Sequence, residues 1–204
     1  MRPPCVILAG GRSSRMGGGD KCLLPLDGKP MLAHVLERVS PQASAILINS
    51  NSSPELFAGF GWPVLPDVID GFQGPLAGLL TGMRWAAQAG AAHLLSVACD
   101  TPFLPLDLAT RLGAGLSRGD IAIARDTARS HPVIGLWPAA LAPRLAHDME
   151  SNGIRGVHQW LRGLAVREVE FEAAQFRNLN TRDDLRQAAH ATPFLEFHKG
   201  CRPR

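Results

Sequence analysis

The stretch VILAGGRSSRMGGGDK, residues 6–21, decides the reading of this chain. It opens as a short apolar run, Val6-Ile7-Leu8-Ala9, which predicts a buried strand too short to be a helix. Gly10, Gly11, Gly17, Gly18 and Gly19 follow around two serines, a composition that lets main chain come close to a ligand. Successive backbone N–H groups in such a loop form a concavity suited to anions. Arg15 and Lys21 add a planar fork and a compact point charge. A strand feeding a glycine loop with two cations predicts a phosphate site. Two common phosphate loops do not match it. The Walker loop needs Gly-Lys-Ser/Thr, whereas Lys21 follows Asp20 and precedes Cys22. The dinucleotide fingerprint needs a glycine two positions after the first, and Gly10-Gly11-Arg12 offers none. Spacing alone leaves an ordinary βα loop as the alternative.

LAGG, a short gap with Ser and Arg, then RMGG and DK resembles the signature loop of the sugar-nucleotide-type nucleotidyltransferases. With LAGG in place of LAAG, and DK at its end, it is most similar to the molybdenum cofactor guanylyltransferases (molybdopterin-guanine dinucleotide biosynthesis protein A). The resemblance spans nearly the whole chain and is specific over the first 100 or so residues. It implies a Rossmann-like nucleotidyltransferase fold and transfer of GMP from GTP to the phosphate of molybdopterin, releasing pyrophosphate. It also implies Mg²⁺ held by Asp100, catalytic roles for Arg15, Lys21 and Asp100, and GTP contacts from Leu8, Ala9, Gly10, Gly11, Lys21, Asn49, Asp67 and Asp100. Gly11 argues for guanine over cytosine by resemblance only, because the peptide groups of Leu8-Ala9-Gly10 can read either base edge. A cytidylyltransferase, a nucleotidyltransferase with another phosphate-ester acceptor, and a non-catalytic carrier of nucleotide or cofactor are the alternatives.

Composition narrows the class. At 204 residues and 46% hydrophobic content the chain fits one α/β domain with a real core. We expect that domain over residues 1–191, with 192–204 as a frayed tail. Lys plus Arg is 21 and Asp plus Glu 18, a net charge of +3 that is too mild for a nucleic-acid surface. No apolar run approaches the ~18 residues of a membrane span, and none before Val6 suits a signal peptide. The expected setting is cytoplasmic, with the two substrates and transient contacts to cofactor-biosynthesis or acceptor proteins as partners. Cys5, Cys22, Cys99 and Cys201 are scattered without a CxxC pair, so neither a zinc knuckle nor a disulfide framework is expected.

Further along, helical spacing covers Met31 to Val39, and apolar runs predict strands at Ala45–Ile48 and Pro63–Leu65. Gly74-Pro75-Leu76-Ala77-Gly78 breaks the chain before a helix predicted over Leu79–Ala89. A strand over His93–Ala98, a helix over Pro105–Leu116 and strands at Ile121–Ala124 and Pro132–Leu136 follow. Helices over Leu141–Glu150 and Gly156–Leu161, a strand over Val166–Phe171 and a helix over Thr181–Ala189 complete the pattern. Strands alternating with helices predict a three-layer α/β architecture, a mostly parallel sheet with helices on both faces. Ligands of such a sheet bind beyond the C-terminal ends of its strands. The 10–21 loop, Asn49, Asp67 and Asp100 should therefore meet on one rim.

Asp100 follows its strand directly, where a carboxylate suits Mg²⁺ bound with substrate phosphates. An Asx turn capping the amides near Phe103 explains the same residue structurally. Asn49 and Asp67 are ordinary turn and cap residues on spacing alone, and gain a nucleotide role from the resemblance. His131, Arg155, Asn178 and Asn180 are candidates for molybdopterin on the same footing. Asn180 or Thr181 is also explained as the cap of the last helix, which carries Asp183 and Asp184 in its first turn.

Overall fold

Four strands with apolar side chains on both surfaces build the middle of the molecule. The computed structural model describes residues 2–10, 20–69, 71 and 74–190. In chain order the strands are β1 Cys5–Leu8, β2 Pro25–Leu26, β3 Lys29–Pro30, β4 Ile46–Asn49 and β5 Val64–Leu65, then β6 His93–Ala98, β7 Ile121–Arg125, β8 Ser130–Pro138 and β9 Val166–Glu170. The helices are α1 Met31–Val39, α2 Pro75–Gln88, α3 Leu108–Gly113, α4 Ala142–Ser151, α5 Val157–Leu161 and α6 Arg182–His190. Seven strands form one sheet in the order β5-β4-β1-β6-β8-β7-β9. β1, β4, β5 and β6 run parallel, and β8 alone is reversed, antiparallel to both β6 and β7. β9 pairs parallel to β7 at the far edge. The mostly parallel sheet expected from the alternation is thus present.

The reversal at β8 has a simple cause. Seven residues, 125–131, lie between the strands predicted at Ile121–Ala124 and Pro132–Leu136, and only 126–129 between β7 and β8, with no helical pattern there. A parallel crossover needs a dozen or more residues, so the chain turns back as a hairpin. β2 and β3 make a second hairpin, whose Asp27-Gly28 corner has φ of 49° and 76°, the positive pair that a tight primed turn requires.

Both faces are covered, as the three-layer reading requires. On one, Leu32, Val35, Leu36 and Val39 of α1 and Leu108, Ala109 and Leu112 of α3 pack with Cys5, Ile7, Ile46, Ile48, Leu95 and Val97. On the other, α2, α4 and α5 pack against Val6, Leu8, Leu47 and Leu94. Side chains therefore alternate strictly between two cores along β1, β4 and β6. The buried Ser96 of β6 is satisfied: it donates to the Val133 carbonyl at 2.6 Å and accepts the Trp137 indole N–H at 2.7 Å.

Three of the differences from the predicted boundaries have a local cause. α2 begins at Pro75, four residues before Leu79, because Gly74 at φ 144° caps it and Pro75 suits the first helical position. Gly74-Pro75 starts the helix instead of breaking the chain. α3 is confined to Leu108–Gly113, since the Pro105 segment is taken up in contacts to Gln42, whose Nε2 donates to the Pro105 carbonyl at 2.8 Å. α6 starts at Arg182, with Thr181 as its cap: Thr181 Oγ1 accepts from Asp184 N at 3.0 Å while Asp184 Oδ2 accepts from Thr181 N at 2.8 Å, a reciprocal capping box. Among the described residues no helix is long and apolar enough to cross a membrane. Cys5, Cys22 and Cys99 are buried free thiols, and burial pushes the Cys5 thiol well up. Cys201 and the 192–204 segment lie outside the described residues.

Candidate active site

The parallel register sets the site. Leu8 of β1 lies opposite Asn49 of β4 and Ala98 of β6, so the three strands end level with one another. Main-chain bonds carry the alignment one residue further, Ala9 N to Asn49 O at 2.9 Å and Cys99 N to Leu8 O at 3.2 Å. Gly10, Asn49 and Asp100 consequently stand side by side on the rim where ligands of parallel sheets bind. Gly11 and Arg15 lie outside the described residues.

Lys21 re-enters at this rim in a short 3-10 turn, Lys21–Leu23. Its Nζ meets Asp100 Oδ2 at 2.8 Å and Asn180 Oδ1 at 2.6 Å. The Lys21 and Asp100 side chains are only 16% and 20% exposed, so the pair is partly withdrawn from water. The turn after β6 is closed by Thr101, whose hydroxyl donates to the Ala98 carbonyl at 2.9 Å, which leaves the Asp100 carboxylate for Lys21. Asn180 arrives because Leu179 N donates to the Asp100 carbonyl at 2.9 Å, docking the segment before α6 onto the strand end. Preceding Lys21, Asp20 Oδ1 accepts from Ser52 Oγ at 2.7 Å and ties the loop's exit to the turn after β4.

A second polar cluster lies beside the first. Asn49 Nδ2 donates to Asp67 Oδ1 at 3.0 Å and to the Leu65 carbonyl at 3.2 Å. Asn51 grips Asp67 twice, donating from Nδ2 to Oδ2 at 2.8 Å and accepting from Asp67 N at 2.8 Å. Asn51 is a residue the sequence reading passed over as part of a strand-ending turn; a second carboxamide two positions after Asn49 was its only signal. α2 presses on this cluster from one face. A Cβ at Gly78 would sit 2.1 Å from Asn49 Oδ1 and 2.8 Å from Leu8 Cδ2, so only glycine fits between helix and rim. Gly78→Ala is expected to cost about 1–3 kcal/mol by overpacking, read as a fall in Tm. Gly59→Ala, where nothing lies within 4 Å, serves as the control and should shift Tm much less.

The four residues named for a second substrate take different places. Asn180 joins Lys21, as described, and Asn178 stands half-buried two residues before it. Arg155 is exposed on the loop after α4, and its carbonyl would lie 3.4 Å from a Cβ at Gly74, beside the start of α2. His131 is 7% exposed and turned inward, paired with Asp126 Oδ2 at 2.9 Å and stacked on Phe176 at 4.8 Å. Its place is behind the rim, joining the β7–β8 hairpin to the segment that delivers Asn178 and Asn180. The His131 hydrogen bond, helped by the amides of Arg129 and Ala128, pulls the Asp126 carboxyl down to about 2. Because that folded value lies below the ordinary 3.8, the pair contributes stability above pH ~4 that is lost as pH falls toward 2. Asp126→Asn is expected to flatten this acid limb in a series of melts from pH 5 to about 2.

Among the described residues no three His, Cys, Asp or Glu side chains gather into a metal cage. A single carboxylate at the rim fits a magnesium-type cation, which keeps most of its ligands from water and substrate phosphates.

A MobA-like NTP transferase domain model matches residues 5–168. The chain is 44% identical over 193 residues to the molybdenum cofactor guanylyltransferase of Mesorhizobium japonicum, covering 90% of this chain and 93% of that one. It is 43% identical to the enzyme of the same name from Rhizobium meliloti, covering 95% and 94%. The chain belongs to the molybdenum cofactor guanylyltransferase family. It is therefore a nucleotidyltransferase, as the glycine loop suggested. The structure of molybdopterin-guanine dinucleotide biosynthesis protein A from Archaeoglobus fulgidus superposes with a TM-score of 0.74 at 24% identity, covering 92% of this chain and 97% of that one. CMP:2-keto-3-deoxy-manno-octonic acid synthetase, solved with CTP, reaches a TM-score of 0.72 at 16% identity, covering 94% and 98%. At those identities the likeness concerns the fold, which this guanylyltransferase family shares with transferases of other names.

Proposed function

We propose that this chain transfers GMP from GTP to the phosphate of molybdopterin, forming molybdopterin guanine dinucleotide and releasing pyrophosphate. The observation that carries the proposal is the Lys21–Asp100–Asn180 cluster at the shared end of β1, β4 and β6, in a chain of this family. The acceptor's phosphate monoester has a second pKa of about 6, so much of it is already a dianion at neutral pH and needs no general base. The protein's task is to hold two phosphate groups in line and neutralise their charge.

Each rim group has a part in that task. The peptide groups of Leu8, Ala9, Gly10 and Gly11 read the base edge, and Asn49, with Asp67 locked behind it, bounds the nucleoside. Lys21 and Arg15 hold the β- and γ-phosphates and support the leaving pyrophosphate. Asp100 would hold Mg²⁺, which when bound would offset the negative charge of the phosphates. Asn178, Asn180 and Arg155 line the approach of the acceptor, with His131 bracing that segment from behind. The reaction is assigned to the cytoplasm, with transient contact to the proteins that supply and receive the cofactor.

The test is pyrophosphate release with Mg²⁺ and each NTP in turn, with and without molybdopterin. Release that requires both GTP and molybdopterin is the expected result. Release with CTP would keep fold and chemistry while overturning the guanine assignment. Tight GTP binding with no release from any nucleotide would make the chain a carrier.

A further inference from the structure

We infer that Lys21 is the resident counter-ion of Asp100, so that a divalent cation enters this site together with the triphosphate and not ahead of it. Lys21 then leaves the carboxylate for the incoming phosphates while keeping its hold on Asn180. The inference rests on the proposal that Asp100 is the metal ligand.

Three observations support it. Among the described residues Asp100 is the one carboxylate paired with Lys21, and its Oδ2 is occupied by Nζ at 2.8 Å. Both side chains are about one-fifth exposed or less, so their charges are weakly screened compared with a surface pair. Asn180, the neutral partner of Nζ at 2.6 Å, is held by main chain: Leu179 N binds the Asp100 carbonyl at 2.9 Å and Asn180 N binds Asp184 Oδ2 at 2.9 Å.

The electrostatics follow. A divalent ion arriving alone faces a carboxylate already neutralised, with an ammonium at contact distance that repels it. Binding it requires Lys21 to give up its anion with nothing but Asn180 in return. A triphosphate changes the balance, because it brings several negative charges that satisfy Lys21 and the metal together. Metal and nucleotide therefore bind with positive coupling, and the coupling is reciprocal. Asn180 acts as a positioning residue: it keeps Nζ at the rim in both arrangements, through a contact that costs no charge.

The experiment titrates Mn²⁺ into the full-length protein without nucleotide, counting free ion by its electron paramagnetic resonance signal. Wild type, Lys21→Met, Lys21→Gln and the Lys21→Met/Asp100→Asn double variant are compared, with thermal melts confirming that each is folded. Both Lys21 variants are expected to bind nucleotide-free Mn²⁺ at least tenfold more tightly than wild type, and the double variant to lose that gain. Lys21 variants that bind no more tightly than wild type, while pyrophosphate release still collapses in Asp100→Asn, would overturn the counter-ion role and leave the metal ligand intact. A double variant that binds Mn²⁺ as tightly as Lys21→Met does would remove the metal ligand itself, and the inference with it.

Discussion

Asp100→Asn is expected to lower the rate of pyrophosphate release by about 10³-fold, at the upper end of what one preorganised charge contributes in a shielded site. At 1.36 kcal/mol per tenfold this is about 4 kcal/mol of transition-state stabilisation. The substitution removes the charge and little else. The turn after β6 is closed by Thr101 and the Ala98 carbonyl, and Leu179 is docked by the main-chain carbonyl of residue 100, neither of which needs the carboxylate. Asparagine also retains an oxygen that can accept from Lys21. The lost ion pair is partly exposed, so its stabilisation is discounted to below about 1 kcal/mol. The signature is therefore a rate collapse with a nearly unchanged melt, measured on the same preparation. A variant that turns over within tenfold of wild type would show that Asp100 is only the anchor for Lys21.

What the sequence discloses of this site divides along chain distance. The strands β1, β4 and β6 are legible because four to six apolar residues end abruptly in polar ones, and parallel pairing then brings Leu8, Asn49 and Ala98 level. That one step places the glycine loop, Asn49 and Asp100 on a common rim. The start of α2 is misread because Gly74-Pro75 is both a break and a first helical turn, and only the φ of Gly74 decides between them. Contacts made by side chains across long separations are not readable at all. Asn180 reaches Lys21 over 159 positions, and it does so through a backbone bond from Leu179 to Asp100 that no local pattern encodes. His131 illustrates the opposite case. A histidine before an apolar run looks available for a ligand, yet β8 turns it toward Asp126 and Phe176, and Phe176 comes from a segment far along the chain.

Lys21→Ala is expected to reduce kcat by about 10²-fold or more while raising KM for GTP only a few-fold. The asymmetry comes from where Lys21 spends its charge. Within the protein the ammonium is already satisfied by Asp100 and Asn180 at 2.8 and 2.6 Å. Binding GTP exchanges one anionic partner for another, so the ground-state gain from Lys21 is small. As the bond to the α-phosphorus breaks, negative charge grows on the departing pyrophosphate, and an ammonium beside it gains in strength only then. On the proposed role of Asp100, removing Lys21 would also free the carboxylate for a metal brought with the nucleotide, which would offset part of any lost affinity. Steady-state kinetics with GTP varied at saturating molybdopterin separates the two constants. A variant whose kcat holds while KM rises steeply would make Lys21 a docking residue, with the work of supporting the leaving group falling to Arg15.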